Sequence, residues 1–143
     1  MLYWLARRDY SQQEIVQKLK LKKYPADAIQ TVIAALVESS LINEPRFTEN
    51  YTRSRSNKGY GPVRIMQELQ ARGISAEMIA EHVQIADNAW LAIAQRVWRK
   101  HFKSVPDDMR QRAKQMRFLQ YRGFTQEQIK YALGSSYDDD TFN

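Results

Sequence analysis

The 143-residue sequence predicts an all-α protein, a run of tandem three-helix repeats set in an elongated, curved array. Three observations lead there. Only five glycines and four prolines interrupt the chain. Apolar residues recur at spacings of three and four, the period of a helix with one buried face. The helix starts also fall into register at a constant offset of fifty residues. The segments IVQKLKLKKYPADAIQTVI (15–33), IMQELQARGISAEMIAEHV (65–83) and QMRFLQYRGFTQEQIKYAL (115–133) align without a gap. Leu19, Leu69 and Leu119 coincide, and so do Ile29, Ile79 and Ile129. Lys22, Arg72 and Arg122 form a basic column; Tyr24, Ile74 and Phe124 form a large apolar one. Units of this kind bury their apolar faces against their neighbours, which makes the array extended.

Each copy reads as helix, short turn, helix. SQQE, Ser11 to Glu14, has capping-box spacing: the serine oxygen accepts an N–H that the first turn leaves free, and Glu14 reaches back. TQEQ, Thr125 to Gln128, repeats that spacing, and Ser75 is a cap for the second helix of copy two. Gly61 followed by Pro62 opens the first helix of copy two, where a missing N–H costs nothing. Gly73 and Gly123 stop the first helices of their pairs, with the next residue expected to pack inward. Lys23 stands where copy one lacks that glycine. EPRFTENYTRSRSN supplies a third helix to copy one, and DNAWLAIAQRVWRKHF supplies one to copy two. Copy three ends before a full third helix. The period is cut here into repeats at 1–58, 59–104 and 105–143, the last partial and carrying an acidic tail.

The stretch RSRSNKGYGP (53–62) is on this reading the seam between copies one and two. Neither the GxxxxGK[ST] of a P-loop nor a GxGxxG dinucleotide fingerprint is present. A helix start preceded by Arg53, Arg55 and Lys58 is nevertheless a place for a phosphate.

Composition narrows the function classes. There is no cysteine, which removes thiolate nucleophiles and CxxC chemistry and fits a reducing compartment, with cytoplasm as the expectation. No apolar run approaches the ~20 residues of a membrane span, and MLYWLARRDYSQQE lacks the features of a signal peptide. The net charge of +6 includes the aspartates of the SSYDDDTFN tail, so the chain ahead of it is more basic still. That excess favours polyanionic partners, nucleic acid first and acidic protein surfaces second.

A search for catalytic chemistry finds none. His82 and His101 stand in no metal-ligand spacing, so no metal and no cofactor is expected. Glu77 and Glu81, four apart, read as a solvated helix face. The serines lack an adjacent base. Arg64, Glu68 and Arg72 alternate in sign at i, i+4 spacing and read as a structural ladder. Trp4, Phe47, Tyr51, Trp90, Trp98 and Phe118 read as packing residues.

The cations are better organised. Over a helix from about 88 to 103, Arg96, Arg99, Lys100 and Lys103 line one face, with Trp90, Ala94, Val97 and His101 on the opposite one. In the next helix Arg110, Lys114, Arg117 and Tyr121 share a line, and Ala113, Met116 and Leu119 share another. Almost no acid interrupts these stripes, the pattern of a polyanion-facing surface.

LARRDYSQQEIVQKL, LINEPRFTENYTRSRSNKGYGPVRIMQELQARGIS and RFLQYRGFTQEQI together resemble the RecX family of bacterial recombination regulators. The central block is the most specific: RF before an aromatic-rich helix, a basic run, GYGP, and an ending ExL-x-x-x-GI. The resemblance implies tandem three-helix repeats. It also implies a non-enzymatic protein that binds the RecA recombinase filament, restrains strand exchange and coprotease activity in DNA repair and the SOS response, and has DNA affinity of its own. The Asp138–Asp140 tail is not part of the matched pattern.

The expectation is therefore a cytoplasmic, monomeric regulator of RecA filaments. It meets acidic recombinase surface or the phosphates of single- or double-stranded DNA through Arg53, Arg55, Lys58, Arg96, Arg99, Lys100, Lys103, Arg110, Lys114 and Arg117. A free-standing helix-turn-helix-like DNA-binding protein is the alternative, and it predicts sequence-selective binding to naked duplex. A repeat scaffold joining two other proteins predicts no DNA affinity.

Overall fold

The N–H of Ser11 bonds the Glu14 carboxylate at 3.0 Å while the Glu14 N–H bonds the Ser11 hydroxyl at 3.2 Å, so the first capping box forms as the spacing requires. It opens α1 (Gln12–Leu21) in a computed structural model that describes Leu5 and residues 8–134. The helices that follow are α2 (Ala26–Glu38), α3 (Glu44–Asn57), α4 (Pro62–Ala71), α5 (Ala76–His82), α6 (Ala89–His101), α7 (Met109–Tyr121) and α8 (Gln126–Gly134). No strand occurs among the described residues. Trp4 and the aspartate tail lie outside them. The protein is all-α, as the glycine-poor, period-3.6 sequence dictates.

The other starts follow the same chemistry. Ser75 accepts the Met78 N–H at 3.2 Å. Thr125 and Gln128 form the reciprocal pair, at 2.9 and 3.2 Å. Asp108 accepts the Gln111 N–H at 2.8 Å and caps α7, a cap the sequence reading passed over. Lys23, Gly73 and Gly123 all adopt left-handed backbone, with φ of 66°, 84° and 98°. The turn is thus the same in all three copies, and copy one places a lysine where a Cβ is strained.

The residues divide into two compact units, Met1–Thr52 with Glu68–His82, and Arg53–Gln67 with Val83–Asn143; the divisions fall inside α3 and α4. In the first, Ile15, Leu19, Ile29, Ile33, Leu36 and Ile42 form a buried cluster where α1 lies on α2. The first five are the apolar positions of their helical turns, Ile42 comes from the loop after α2, and burying a side chain of this size contributes roughly 1.5–3 kcal/mol before the entropy of ordering is counted. Arg46 of α3 holds Asp9 at 2.8–3.0 Å, and Glu44 accepts the Gln12 N–H at 2.9 Å, so the start of α3 clasps the chain entering α1. The Asp9 bond raises the Arg46 pKa further. Tyr51 donates to Glu68 at 2.8 Å, and Arg72 bonds the Glu68 carbonyl at 3.1 Å and pairs with Glu14 at 3.5 Å. These bonds give Glu68 and Arg72 structural partners on other helices as well as on their own.

In the second unit α8 packs along α6 and beside α7, burying Trp90, Ala94, Val97, Leu119, Ile129 and Leu133. Two buried glutamines hold this unit together. Gln115 accepts the Trp98 indole N–H at 2.8 Å and donates to the Ser104 carbonyl at 3.3 Å. Gln128 donates to the Ile85 carbonyl at 2.9 Å. A buried amide stripped of such partners costs about 1–3 kcal/mol.

Two expectations are corrected. Ile74 and Phe124 are buried, but Tyr24 is 51% exposed. The turns after α4 and α7 are covered by the start of another helix, whereas the Lys22–Lys23 turn carries no such contact among the described residues. His101, assigned to the packing side of α6, is exposed. It sits at the last residue of the helix, beyond the reach of the partners that cover Trp90, Ala94 and Val97.

Candidate polyanion-binding face

Residues 53–62 join the end of α3 to the start of α4 within the second unit. Within the first unit, the Ser11 hydroxyl donates to the Arg72 carbonyl at 2.8 Å. Fifty residues on, within the second unit, the Gly61 N–H donates to the Arg122 carbonyl at 2.7 Å and the Val63 N–H to the Gly123 carbonyl at 2.9 Å. One docking is thus made twice, by a side chain at one place and by backbone at the other. A Cβ on Gly61 would stand 2.5 Å from the Gly123 carbonyl, which explains the glycine better than a simple exchange for a capping serine.

The joint organises the charges around it. Carbonyls at the C-terminal end of a helix lack intrahelical donors and carry partial negative charge. Arg96 of α6 donates to the Ser56 carbonyl at 3.0 Å, and Arg122 donates to the Lys58 carbonyl at 3.2 Å. Both guanidiniums are thereby fixed at the end of α3, and each has five N–H donors, more than these bonds consume. Around the Tyr60 ring stand Arg55, Arg64 and Arg122, their guanidinium carbons 4.0, 4.6 and 5.1 Å from the centroid. The ring's negative face lets three like charges approach one another. Arg55 is half-buried in this cluster and in part structural.

Two shallow depressions result. Lys58, Arg96, Lys100, His101 and Arg122 line one of about 180 Å³. His101, Lys103 and Lys114, with Gln111 and Gln115, line a second of about 280 Å³. Among the described residues no carboxylate lines either. Of the residues singled out from the sequence, Lys58, Arg96 and Lys100 meet at the first and Lys103 and Lys114 at the second. Arg53, Arg99, Arg110 and Arg117 are exposed and line neither.

His101 and Arg122 are the members the sequence reading did not assign to the site. The basic column Lys22, Arg72, Arg122 was the available signal for Arg122. His101 had none, because its facing depends on where α6 stops. Its ring lies 4.4 Å from that of Phe118, and its Nε2 is 3.4 Å from Arg122 Nη2. Its pKa is lowered from 6.5, first by desolvation and then by the charges of Arg122 and Lys100. Among the described residues no group of three His, Asp or Glu side chains is placed to hold a metal ion. The face offers donors and positive charge, the chemistry of anion binding.

Three family models match the chain: the first three-helix domain of RecX at residues 1–36, the second at 43–82 and the third at 89–133. The chain belongs to the RecX family. A regulatory protein RecX of Halorhodospira halophila is 41% identical over 137 residues, covering 95% of this chain and 85% of that one. A regulatory protein RecX of Pseudomonas entomophila is 40% identical over 126 residues, 87% and 81% of the two chains. The crystal structure of RecX from Lactobacillus salivarius superposes with a TM-score of 0.77 at 21% identity, over 96% of this chain and 91% of that one, and shares the fold. The RecX domain bounds group α3 with α4 and α5, and α6 with α7 and α8. A period sets the spacing of copies and leaves the point of division free. In RecX terms, Lys58 comes from the second domain, and Arg96, Lys100, His101, Lys103, Lys114 and Arg122 come from the third.

Proposed function

We propose that this RecX-family chain is a non-enzymatic regulator that binds the RecA recombinase filament in the cytoplasm and restrains its recombination and coprotease activities. Its basic face lies against DNA phosphates or acidic recombinase surface. The regulatory naming of its relatives supports the role. The observation that carries the surface assignment is the meeting of Lys58, Arg96, Lys100 and Arg122 around one carboxylate-free depression. A guanidinium or ammonium so placed pairs with phosphate and carboxylate oxygens, and cations gathered at one place raise the local concentration of a polyanion. No helix among the described residues is long and apolar enough to cross a membrane.

The test adds the protein to preformed RecA filaments on single-stranded DNA and follows ATP hydrolysis and co-sedimentation. Reduced ATPase and co-sedimentation, both weakened by Lys100→Glu with Lys114→Glu, are expected. Unchanged hydrolysis with no co-sedimentation would remove the reading. Sequence-selective binding to naked duplex without either effect would put a free-standing DNA-binding protein in its place.

A further inference from the structure

We infer that the depression between Lys58, Lys100, His101 and Arg122 is a subsite for one nucleic-acid phosphodiester, and that His101 takes up a proton when the phosphate enters. This rests on the polyanion-face reading and gives it a chemical class and a coupling.

His101 Nε2 lies 3.4 Å from Arg122 Nη2. A guanidinium only donates, so this contact is a hydrogen bond in the tautomer whose Nε2 accepts and whose proton is on Nδ1. A protonated imidazole has no acceptor to offer and would set two cations face to face. The charged groups that line the two depressions with His101 are all cations: Lys100 and Arg96 on α6, Lys58 at the end of α3, Lys103 just past α6, Lys114 on α7, and Arg122. These charges disfavour a proton on His101, whose pKa is lowered first by desolvation and then by the charges of Arg122 and Lys100. An anion reverses the balance. Once a phosphate oxygen stands between the ring and the guanidinium, Nε2 accepts one proton from solvent and donates to that oxygen, and Arg122 redirects an N–H to the same group.

Two further features favour a phosphodiester over a protein carboxylate. His101 borders both depressions, so charge recognition continues from one to the next, as a chain of evenly spaced anions requires. Tyr121 is 75% exposed, shares a line on α7 with Lys114 and Arg117, and has the Arg64 guanidinium carbon 5.2 Å from its ring centroid. Exposed aromatics interleaved with basic side chains suit stacked bases, whereas a carboxylate gains nothing from them.

The test uses the full chain and hexathymidylate, whose phosphodiesters do not titrate near neutrality. NMR of the imidazole C–H signals follows His101, with His82 as internal reference. Hexathymidylate is expected to raise the His101 midpoint and leave that of His82 in place. Its affinity should increase as pH falls through that midpoint, by up to about tenfold per pH unit, and in His101→Gln the extra dependence should vanish. Bound hexathymidylate with an unmoved His101 midpoint overturns the subsite and leaves the RecA-filament reading intact. No binding of hexathymidylate at low salt also overturns it, and co-sedimentation with RecA filaments then decides separately whether the wider reading survives. If oligoglutamate moves the midpoint and hexathymidylate does not, the depression takes an acidic protein segment and the inference is wrong.

Discussion

The amide of Gly61 lies 2.7 Å from the carbonyl oxygen of Arg122, and with the Val63 N–H on the Gly123 carbonyl it joins the start of α4 to the turn between α7 and α8. Ser11 and Arg72 make the corresponding contact fifty residues earlier, through the serine hydroxyl. The tandem period is therefore also a docking rule: a helix start caps the turn of the pair one period later, within each of the two units.

Gly61→Ala tests the close approach. The added methyl would meet the Gly123 backbone, which cannot rotate away as a flexible side chain can. Overpacking of this kind costs roughly 1–3 kcal/mol. A urea titration followed by circular dichroism should show the midpoint falling by a corresponding amount, and an unchanged midpoint would mean that α4 can shift off the turn.

Lys23→Gly makes the opposite prediction. Lys23 holds φ of 66° without the crowding that surrounds Gly73, where a Cβ would stand 2.5 Å from Gln13 Oε1. Relief of left-handed strain should stabilise the protein by about 1 kcal/mol, reduced by the extra freedom that glycine gives the unfolded chain. Thermal denaturation of the two proteins side by side measures it.

Salt dependence reports how many cations meet phosphate. If about four do so on duplex DNA, log affinity should fall against log salt with a slope near −3.6, and Lys100→Glu should lower its magnitude by about 0.9 or more. Arg96→Glu should in addition destabilise the fold, because Arg96 adds a charged donor to the Ser56 carbonyl beside the Gly59 N–H, and a carboxylate there would face that oxygen. The two variants separate a cation that serves binding alone from one that also serves structure. Filter binding across a salt series, paired with melting curves, checks both.

Acid should weaken the fold through His101. Its folded pKa lies below the ordinary 6.5, so between those two values the unfolded chain binds more protons than the folded one. Stability then rises with pH in that window. It is fully present above about 6.5 and is lost as pH falls, levelling off below the folded pKa. His101→Gln should flatten this component of the stability profile, while Gln at His82 should not.

The sequence by itself determined the helices, their capped starts, the fifty-residue period and the left-handed turns, because each is local chemistry. Capping boxes, glycine conformation and apolar spacing act within a few residues and are written in adjacent letters. Tertiary structure alone decided which cations share a place. Arg96 and Arg122 turn to the end of α3 because carbonyls from elsewhere in the chain accept their N–H groups there. Tyr24 stays exposed where Phe124 is covered, although the two letters occupy one column. His101 joins the basic depression because α6 stops under it. Partnership between groups distant along the chain depends on how helices dock, and no spacing in the sequence encodes it.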